Sequence, residues 1–141
     1  MSTLGLDLGK RRIGIAVFDL PGMGARPLTT LVRVSWPCDI QRIRTIVEDR
    51  QARRIVVGLP LNMNGSEGPA AREARNFAAL LSQELGLPVE LHDERLTSLE
   101  AESRLKHSSM GRKSRKLVVD QIAAALILES WLAAHGNDDT V

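Results

Sequence analysis

The start of the chain carries the hydrophobic pattern of two β-strands. Over residues 4–9, leucine alternates with glycine or aspartate, a period of two that predicts a strand with one bulky face and one nearly bare face. Asp7 belongs to the bare face. After the turn sequence GKRR, the β-rich run IGIAVFDL at 13–20 ends at Pro21 and Gly22. The two runs therefore predict an antiparallel hairpin.

Strand and helix patterns alternate through the middle of the chain. Apolar residues form β-rich runs in three places and recur at helical spacing in two, with turn and capping residues between them. The expected elements are a third strand at about 27–35, a short helix from an N-cap at Asp39 to about residue 51, a buried strand at 54–60, a helix at about 70–85 ended by Gly86, and a fifth strand at 89–94.

The last third of the chain predicts two further helices. Thr97 with Glu100 three residues later predicts a capping box at the start of the first,. A polar, basic loop follows, and then a long, mostly apolar helix over about 114–135. We expect one domain over 1–135, with 136–141 as a disordered tail.

The order of these elements predicts a mixed sheet in an α/β fold. Helical crossovers join the first, fourth and fifth strands, so these are expected to be parallel neighbours. Ligands of such sheets gather at the carboxyl ends of the strands. Three features converge there: Asp7 near the end of the first strand, the GLPLN sequence after the fourth, and Asp93 with Glu94 at the end of the fifth.

Composition narrows the choice of function. The chain has 141 residues, with 19 Lys and Arg against 17 Asp and Glu. One cysteine excludes an intrachain disulfide framework and a Cys-rich zinc site. With 3% aromatic residues and no tyrosine, the stacking surfaces of RNA-recognition sheets and single-strand-binding barrels are absent. No apolar run predicts a membrane span or a signal peptide, so we expect a cytoplasmic protein.

Asp7 is the first candidate for chemistry. A carboxylate in a run as apolar as LGLDLG is costly to ionise unless it is paired or bound to a metal. The neighbouring Gly5 and Gly9 carry no side chains, which would allow close approach of a phosphodiester backbone. The alternative is a carboxylate satisfied by the amides of the following turn or by Lys10.

Two further carboxylates extend this candidate site. Asp120 lies in the middle of the apolar last helix, where an exposed pair with Lys116 is the alternative,. Asp7, Glu94 and Asp120 together could surround hard divalent cations, as in two-metal phosphoryl chemistry. Asp93 competes with Glu94 for this role. Adjacent strand residues face opposite ways, so one of them is expected in the site and the other in a turn or paired with Arg95.

Basic residues flank these acids. Six of the thirteen residues at 104–116 are Lys or Arg and none is acidic, which favours a phosphate-binding surface over a merely solvated loop. A second cluster directly follows Asp7. The predicted nucleic-acid-binding residues are Lys10, Arg11, Arg12, Arg112, Lys113, Arg115 and Lys116.

Four segments resemble one known family. They are GLDLGKRRIGIA at 5–16, VVGLPLNMNG at 56–65, DERLTSLEAE at 93–102 and VVDQIAAALIL at 118–128. On these segments the chain resembles the YqgF family, also called RuvX, of RNase H-like nucleases. The resemblance implies an RNase H-like fold, a five-stranded mixed sheet flanked by helices, and Mg²⁺- or Mn²⁺-dependent cleavage of phosphodiester bonds. It also implies that the acidic triad falls on Asp7, Glu94 and Asp120.

The resemblance leaves the substrate open. The family is described both as processing the 5′ end of pre-16S rRNA and as resolving Holliday junctions. We expect structured RNA, in a pre-ribosomal particle, as the substrate. A four-way DNA junction is the alternative, and it would favour a homodimer because symmetric cuts need two active sites.

Two other classes of protein also fit part of the pattern. In a non-catalytic RNA-binding or ribosome-assembly module, the acids would only stabilise the fold. A strand with an Asp-x-Gly element also opens the fold of sugar kinases and actin-like ATPases. Those proteins close two domains over a nucleotide, and 141 residues supply only one,.

Overall fold

The computed structural model describes residues 2–95 and 112–135, with residues 112–117 described by their backbone only. Five strands and three helices form this part of the chain. In chain order they are β1 (Ser2–Leu8), β2 (Arg12–Phe18), β3 (Arg26–Val32), α1 (Trp36–Arg50), β4 (Ala52–Leu59), α2 (Pro69–Leu85), β5 (Val89–Asp93) and α3 (Arg112–Ala134).

The strands form one mixed sheet in the order β3-β2-β1-β4-β5. β1 pairs antiparallel with β2, and β2 pairs antiparallel with β3. β1 and β4 are parallel, as are β4 and β5. The hairpin and the three parallel neighbours expected from the sequence are both confirmed. The carboxyl ends of β1, β4 and β5 therefore meet at one edge of the sheet.

One face of the sheet packs against α1 and α2. Leu4 and Leu6 of β1, with the aliphatic residues of β2 and β4, meet Ile43 of α1 and Phe77 of α2 in a continuous buried cluster. Phe77 is fully buried and makes an edge contact with Trp36, with ring centroids 5.7 Å apart. This face is the bulky side of the alternation in β1.

The opposite face packs against α3. Small and medium residues such as Ala16 and Val56 meet Ala124, Leu128 and the other apolar residues of α3. Trp131 is 2% exposed and belongs to this cluster. Asp7 and Gly5 lie on this side of β1, since they alternate with the leucines of the other face.

The predicted start of the first helix is wrong. The N-cap of α1 is Ser35, whose Oγ accepts a hydrogen bond from the backbone N–H of Cys38 over 3.3 Å. Asp39 is instead buried in the first turn, where it accepts hydrogen bonds from Val34 N and from Arg42. Serine followed by a proline in the first turn is itself a start signal, and the aspartate nearer the apolar residues obscured it.

The other predicted boundaries hold to within a few residues. Gly86 ends α2 in the left-handed region, with φ of 67°. The last helix begins at Arg112, slightly before the expected start. The capping box at Thr97 and Glu100 and the tail at 136–141 lie outside the described residues. In the described residues, no helix is both long and apolar enough to cross a bilayer.

Candidate functional site

Asp7 and Glu94 meet at the carboxyl edge of the sheet. Asp7 is near the end of β1 and Glu94 directly follows β5, with β4 between them. The backbone N–H of Glu94 donates to Leu59 O over 3.2 Å, so the pairing of β5 with β4 extends by one residue. The two carboxyl side chains are hydrogen-bonded to each other. The structure thus brings together two of the predicted site residues.

Gly58 of β4 provides the space for this pair. A Cβ atom at position 58 would overlap Oε2 of Glu94 and would lie 2.5 Å from Cδ1 of Ile127 on α3. The absence of a side chain therefore lets Glu94 lie across β4 toward Asp7. The role of Gly58 could not be predicted, because a strand glycine does not indicate which distant side chain fills the space above it.

The acidic pair holds a proton at neutral pH. Burial raises the pKa of Asp7 to about 6, and the charge of Asp120 adds to the rise. Burial also raises the pKa of Glu94 to about 8, followed by the charge of Asp7 and the hydrogen bond between the two. Glu94 is the donor and Asp7 the acceptor of that bond, and they titrate as a coupled pair. A cation at this place would stabilise the fully ionised form.

Asp93 turns away from the pair. Its Oδ1 accepts from the backbone N–H of Arg95 over 3.0 Å, and its Oδ2 accepts from Arg95 Nε over 2.8 Å. These contacts lower the pKa of Asp93, chiefly through the side-chain hydrogen bond. Of the two alternatives that the sequence left open, Glu94 is the residue that faces Asp7.

Asp120 approaches the same edge from α3. It lies close enough to Asp7 for its charge to raise the pKa of Asp7. Its Oδ2 accepts a hydrogen bond from Arg12 Nε over 2.7 Å. A Cβ at Gly14 would overlap the carbonyl oxygen of Asp120, so glycine at position 14 allows α3 to approach β2. The side chain of Lys116, which was the alternative partner expected from the sequence, lies outside the described side chains.

The glycines beside Asp7 accommodate protein atoms. A Cβ at Gly5 would lie 2.9 Å from both Ala124 O and Leu128 Cβ of α3, and a Cβ at Gly9 would lie 2.9 Å from Arg12 O. The expected role of Gly5 and Gly9 in opening a path for a phosphodiester backbone is therefore wrong. Gly5 is small because α3 packs directly on it.

The predicted basic residues separate into three groups. Lys10 and Arg11 are exposed in the turn after β1. Arg12 is partly buried and paired with Asp120. The remaining four, Arg112, Lys113, Arg115 and Lys116, lie in the first turns of α3, where only the backbone is described.

Arg33 fixes the turn that carries Lys10 and Arg11. Its Nη1 donates to Gly9 O over 2.6 Å, and its guanidinium also bonds Glu73 of α2 at 3.2 and 3.3 Å. This contact joins the end of β3 to the turn after Asp7. The role of Arg33 could not be predicted from the sequence, since its partners are distant in the chain and no local pattern indicates them.

An open cavity of about 460 Å³ lies beside Glu94. Its lining residues are Met63, His92, Asp93, Arg95 and Ser130. His92 Nε2 and Ser130 Oγ are 2.8 Å apart. The cavity thus provides both polar and apolar surface at the end of β5.

The carboxylate oxygens of Asp7, Glu94 and Asp120 suit a hard cation, although the three side chains do not form one cluster. Carboxylates are the side chains that Mg²⁺ and Mn²⁺ prefer, and the space at Gly58 brings two of them together. Among the residues with described side chains, no three His, Cys, Asp or Glu form a group that could hold an ion. Asp7 and Glu94 form a pair, while Arg12 binds Asp120.

The chain matches a known family over nearly its full length. A family model described as "RuvX: Holliday junction resolvase" matches residues 1–134. A protein of Myxococcus xanthus is 46% identical over 140 residues, which cover 99% of this chain and 93% of the relative. A protein of Anaeromyxobacter sp. (strain K) is 52% identical over 132 residues, covering 94% and 96%. Both relatives are named "Putative pre-16S rRNA nuclease".

A solved structure confirms the fold. Thermus thermophilus RuvC in complex with a Holliday junction substrate superposes with a TM-score of 0.59 at 18% identity, covering 96% of this chain and 97% of RuvC. The sheet order and the placement of helices on both faces agree with this RNase H-like architecture. The extent and identity of the sequence matches show that the chain belongs to the RuvX family of nucleases.

Proposed function

We propose that this protein is a divalent-metal-dependent nuclease that processes the 5′ end of pre-16S rRNA. The observation that carries the proposal is the hydrogen-bonded pair of Asp7 and Glu94 at the carboxyl edge of the sheet, with Asp120 beside it. Three acids on three separate elements leave oxygen ligands open to water and phosphate. The names of the two bacterial relatives support the choice of substrate.

Asp7, Glu94 and Asp120 are the residues that would hold Mg²⁺ or Mn²⁺. When bound, a pair of such ions activates water and stabilises the leaving oxygen of a phosphodiester. The carboxylates of Asp7, Glu94 and Asp120 supply the negative charge that would hold these ions. Burial raises the pKa of both Asp7 and Glu94, and the charge of Asp7 and its hydrogen bond raise that of Glu94 further, so the pair holds a proton near neutral pH. Ion binding therefore releases protons from the site.

Basic side chains are proposed to hold the nucleic-acid backbone next to these acids. Lys10 and Arg11 are exposed directly after Asp7, and Arg33 holds their turn in place. Arg112, Lys113, Arg115 and Lys116 begin the helix that carries Asp120. Contacts of this kind position the backbone and do not select sequence, which suits recognition of a folded RNA.

Resolution of a four-way DNA junction is the second candidate function. It is favoured by the family description and by the likeness to RuvC in its junction complex. The likeness at 18% identity concerns the fold alone. Under this alternative the protein would act as a homodimer, since two strands must be cut symmetrically.

The context of the activity follows from the proposed substrate. We propose that residues 1–135 form the nuclease domain and that the physiological partner is a pre-ribosomal particle. A protein with that partner would act in the cytoplasm. Fractionation of cells would test the proposed partner and compartment, since the protein should be found with ribosomal precursors.

A cleavage assay tests the function. Wild type and Asp7→Asn are incubated with Mg²⁺ or Mn²⁺ and either a structured pre-16S rRNA fragment or a four-way DNA junction. We expect wild type to cut the RNA and Asp7→Asn to cut neither, because the amide is a poor metal ligand of nearly the same volume. Preferential cutting of the junction would support the alternative function. Equal activity in Asp7→Asn would refute the assigned site.

A non-catalytic RNA-binding module makes a different prediction. Such a protein would bind the rRNA fragment without cutting it and would show no response to divalent ions. Calorimetric titration with Mn²⁺ on the purified protein separates the two classes, since the nuclease must bind the ion and the module has no need of it.

A further inference from the structure

Arg12 connects the first residue of β2 to Asp120 on α3. Its Nε donates to Asp120 Oδ2 over 2.7 Å, and the two side chains are 30% and 18% exposed. A hydrogen bond between ionised groups at this distance is stronger than a neutral one. Partial burial reduces its screening by solvent. The carboxylate of Asp120 is therefore held by the guanidinium of Arg12.

The backbone on both sides of this pair is fixed. Arg12 O accepts from Gly9 N over 2.8 Å, and Arg12 is paired with Val32 of β3. The carbonyl oxygen of Asp120 lies directly over Gly14, where no Cβ fits. A change of partner at Asp120 therefore needs to involve only the two side chains, while these backbone contacts persist.

A divalent ion and the guanidinium of Arg12 would compete for the carboxylate of Asp120. A site for a divalent ion needs its carboxylate alongside Asp7 and Glu94, but the guanidinium of Arg12 already bonds one of its oxygens. The positive charge of Arg12 would also repel an ion bound to Asp120. Among the side chains described, the three acids do not form a group that could hold an ion.

Resting on the proposed nuclease function, we propose that Arg12 is a positioning residue that competes with the divalent ion for Asp120, and that a substrate phosphate releases it. Phosphate is a strong partner for a guanidinium. The Arg12 side chain is 30% exposed, so a backbone phosphate can reach it. When Arg12 turns to the phosphate, Asp120 becomes available to the ion.

The proposal has a thermodynamic consequence. If phosphate and Asp120 compete for Arg12, then nucleic acid and metal ion each strengthen the binding of the other by the same factor. The site would take up its ions most tightly when a substrate is in place. Arg12 would thus differ from Arg11, which is its neighbour in the chain, is exposed and has the same charge.

Calorimetric titration of Mn²⁺ tests the competition without any cleavage readout. The proteins are full-length wild type, Arg12→Ala, Arg12→Lys and the matched control Arg53→Ala, which removes an exposed arginine near the amino end of β4. Each is stripped of divalent ions with a chelator. We expect Arg12→Ala to bind Mn²⁺ about tenfold more tightly than wild type, within the usual range of such coupling. Arg12→Lys, which keeps the charge, should fall between them, and Arg53→Ala should match wild type to within about twofold.

The coupling is measured with a short RNA hairpin whose integrity is checked by denaturing gel electrophoresis after each titration. Its affinity is determined by fluorescence anisotropy with and without Mn²⁺. We expect Mn²⁺ to strengthen binding of this RNA more in wild type and Arg53→Ala than in Arg12→Ala. Ion effects on the RNA itself are common to all variants and cancel in this comparison.

The outcomes separate this inference from the function on which it rests. If wild type binds Mn²⁺ and Arg12→Ala binds it with the same or lower affinity, the competition is overturned and the nuclease proposal stays intact. Equal strengthening of RNA binding in wild type and Arg12→Ala would overturn the release by phosphate. Failure of wild type to bind Mn²⁺ at all would overturn the metal-dependent function and this inference together.

Discussion

The two faces of the sheet use opposite kinds of residues. Beneath α1 and α2 lie large aliphatic side chains such as Leu6 and Ile55, closed over by Phe77. Beneath α3 lie positions such as Gly14 and Gly58, with carboxylates at the edge. The first face gains stability from buried apolar area. The second leaves out apolar side chains where the acids and α3 must approach the strands closely.

The face beneath α1 and α2 mainly provides stability, and the face beneath α3 carries the candidate chemistry. On the α3 face, two acids are held so that burial opposes their ionisation, which costs folding free energy in the absence of a cation. The buried cluster beneath α1 and α2 consists of apolar residues. Substitutions on the α3 face should therefore affect mainly cleavage and ion binding, and substitutions on the other face mainly the free energy of unfolding.

The largest expected effect is on catalysis by the α3 face. Glu94→Gln should lower cleavage by at least about a thousandfold, because loss of a metal ligand removes several kcal/mol of transition-state stabilisation. Asp93→Asn is the matched control, since Asp93 faces Arg95. It should retain activity within about tenfold. Single-turnover cleavage rates measure both, and comparable losses in the two variants would contradict the assignment of Glu94.

The next effect is on stability and lies on the other face. Phe77→Ala removes a fully buried ring and should lower the free energy of unfolding by about 3–5 kcal/mol. Urea denaturation measures this loss. At a temperature where the variant is folded, its affinity for Mn²⁺ should match wild type. A large change in that affinity would show that the two faces are not separable.

Gly58→Ala should affect both properties. Its Cβ would overlap Oε2 of Glu94 and approach Ile127 of α3, and such overpacking costs about 1–3 kcal/mol. Displacement of Glu94 should also weaken Mn²⁺ binding. Gly68→Ala is the control, because among the described residues its Cβ would meet only Asn62, at 3.7 Å. If both variants bind Mn²⁺ like wild type, Gly58 has no role in placing Glu94.

The smallest expected effect is a dependence of stability on pH. Asp7 and Glu94 have raised pKa values in the folded protein, so the folded state holds protons that the unfolded chain loses near its ordinary pKa values. Their contribution to stability is therefore present at low pH. It is lost as pH rises from about 4.5 toward 8,.

The test compares wild type with Glu94→Gln in the presence of a chelator. The difference in unfolding free energy between them cancels other groups, including His92, whose pKa is lowered by burial. Wild type should lose stability relative to Glu94→Gln as pH rises, by about 1–3 kcal/mol in all. Saturating Mn²⁺ should reduce the loss. A difference that is independent of pH would contradict the raised pKa of Glu94.

Much of the architecture could be predicted because it rests on local periodicity. The alternation over 4–9 marked the two faces of β1, and the helical spacing of apolar residues marked α2 and α3. The misplaced N-cap at Asp39 shows the limit of this approach. Ser35 and Asp39 can each cap a helix, and the structure buries Asp39 in the first turn while Ser35 caps it.

The candidate site was predictable in its residue types but not in its contacts. Acids in apolar surroundings identified Asp7 and Asp120 because ionising them there is costly. Whether Asp93 or Glu94 faces Asp7 depended on how β5 ends beside β4. The pairing of Arg12 with Asp120 also could not be predicted, since it joins residues 108 positions apart.

By itself, the sequence determined the strands and helices, the edge of the sheet where function gathers, and the family. Those properties depend on periodicity and on motifs that are continuous in the chain. Only the tertiary structure decided that Glu94 lies over Gly58, that α3 covers Gly5 and that Arg12 binds Asp120. Each of these is a close contact between distant segments, and its geometry is set by how the helices and strands pack, which no local pattern encodes.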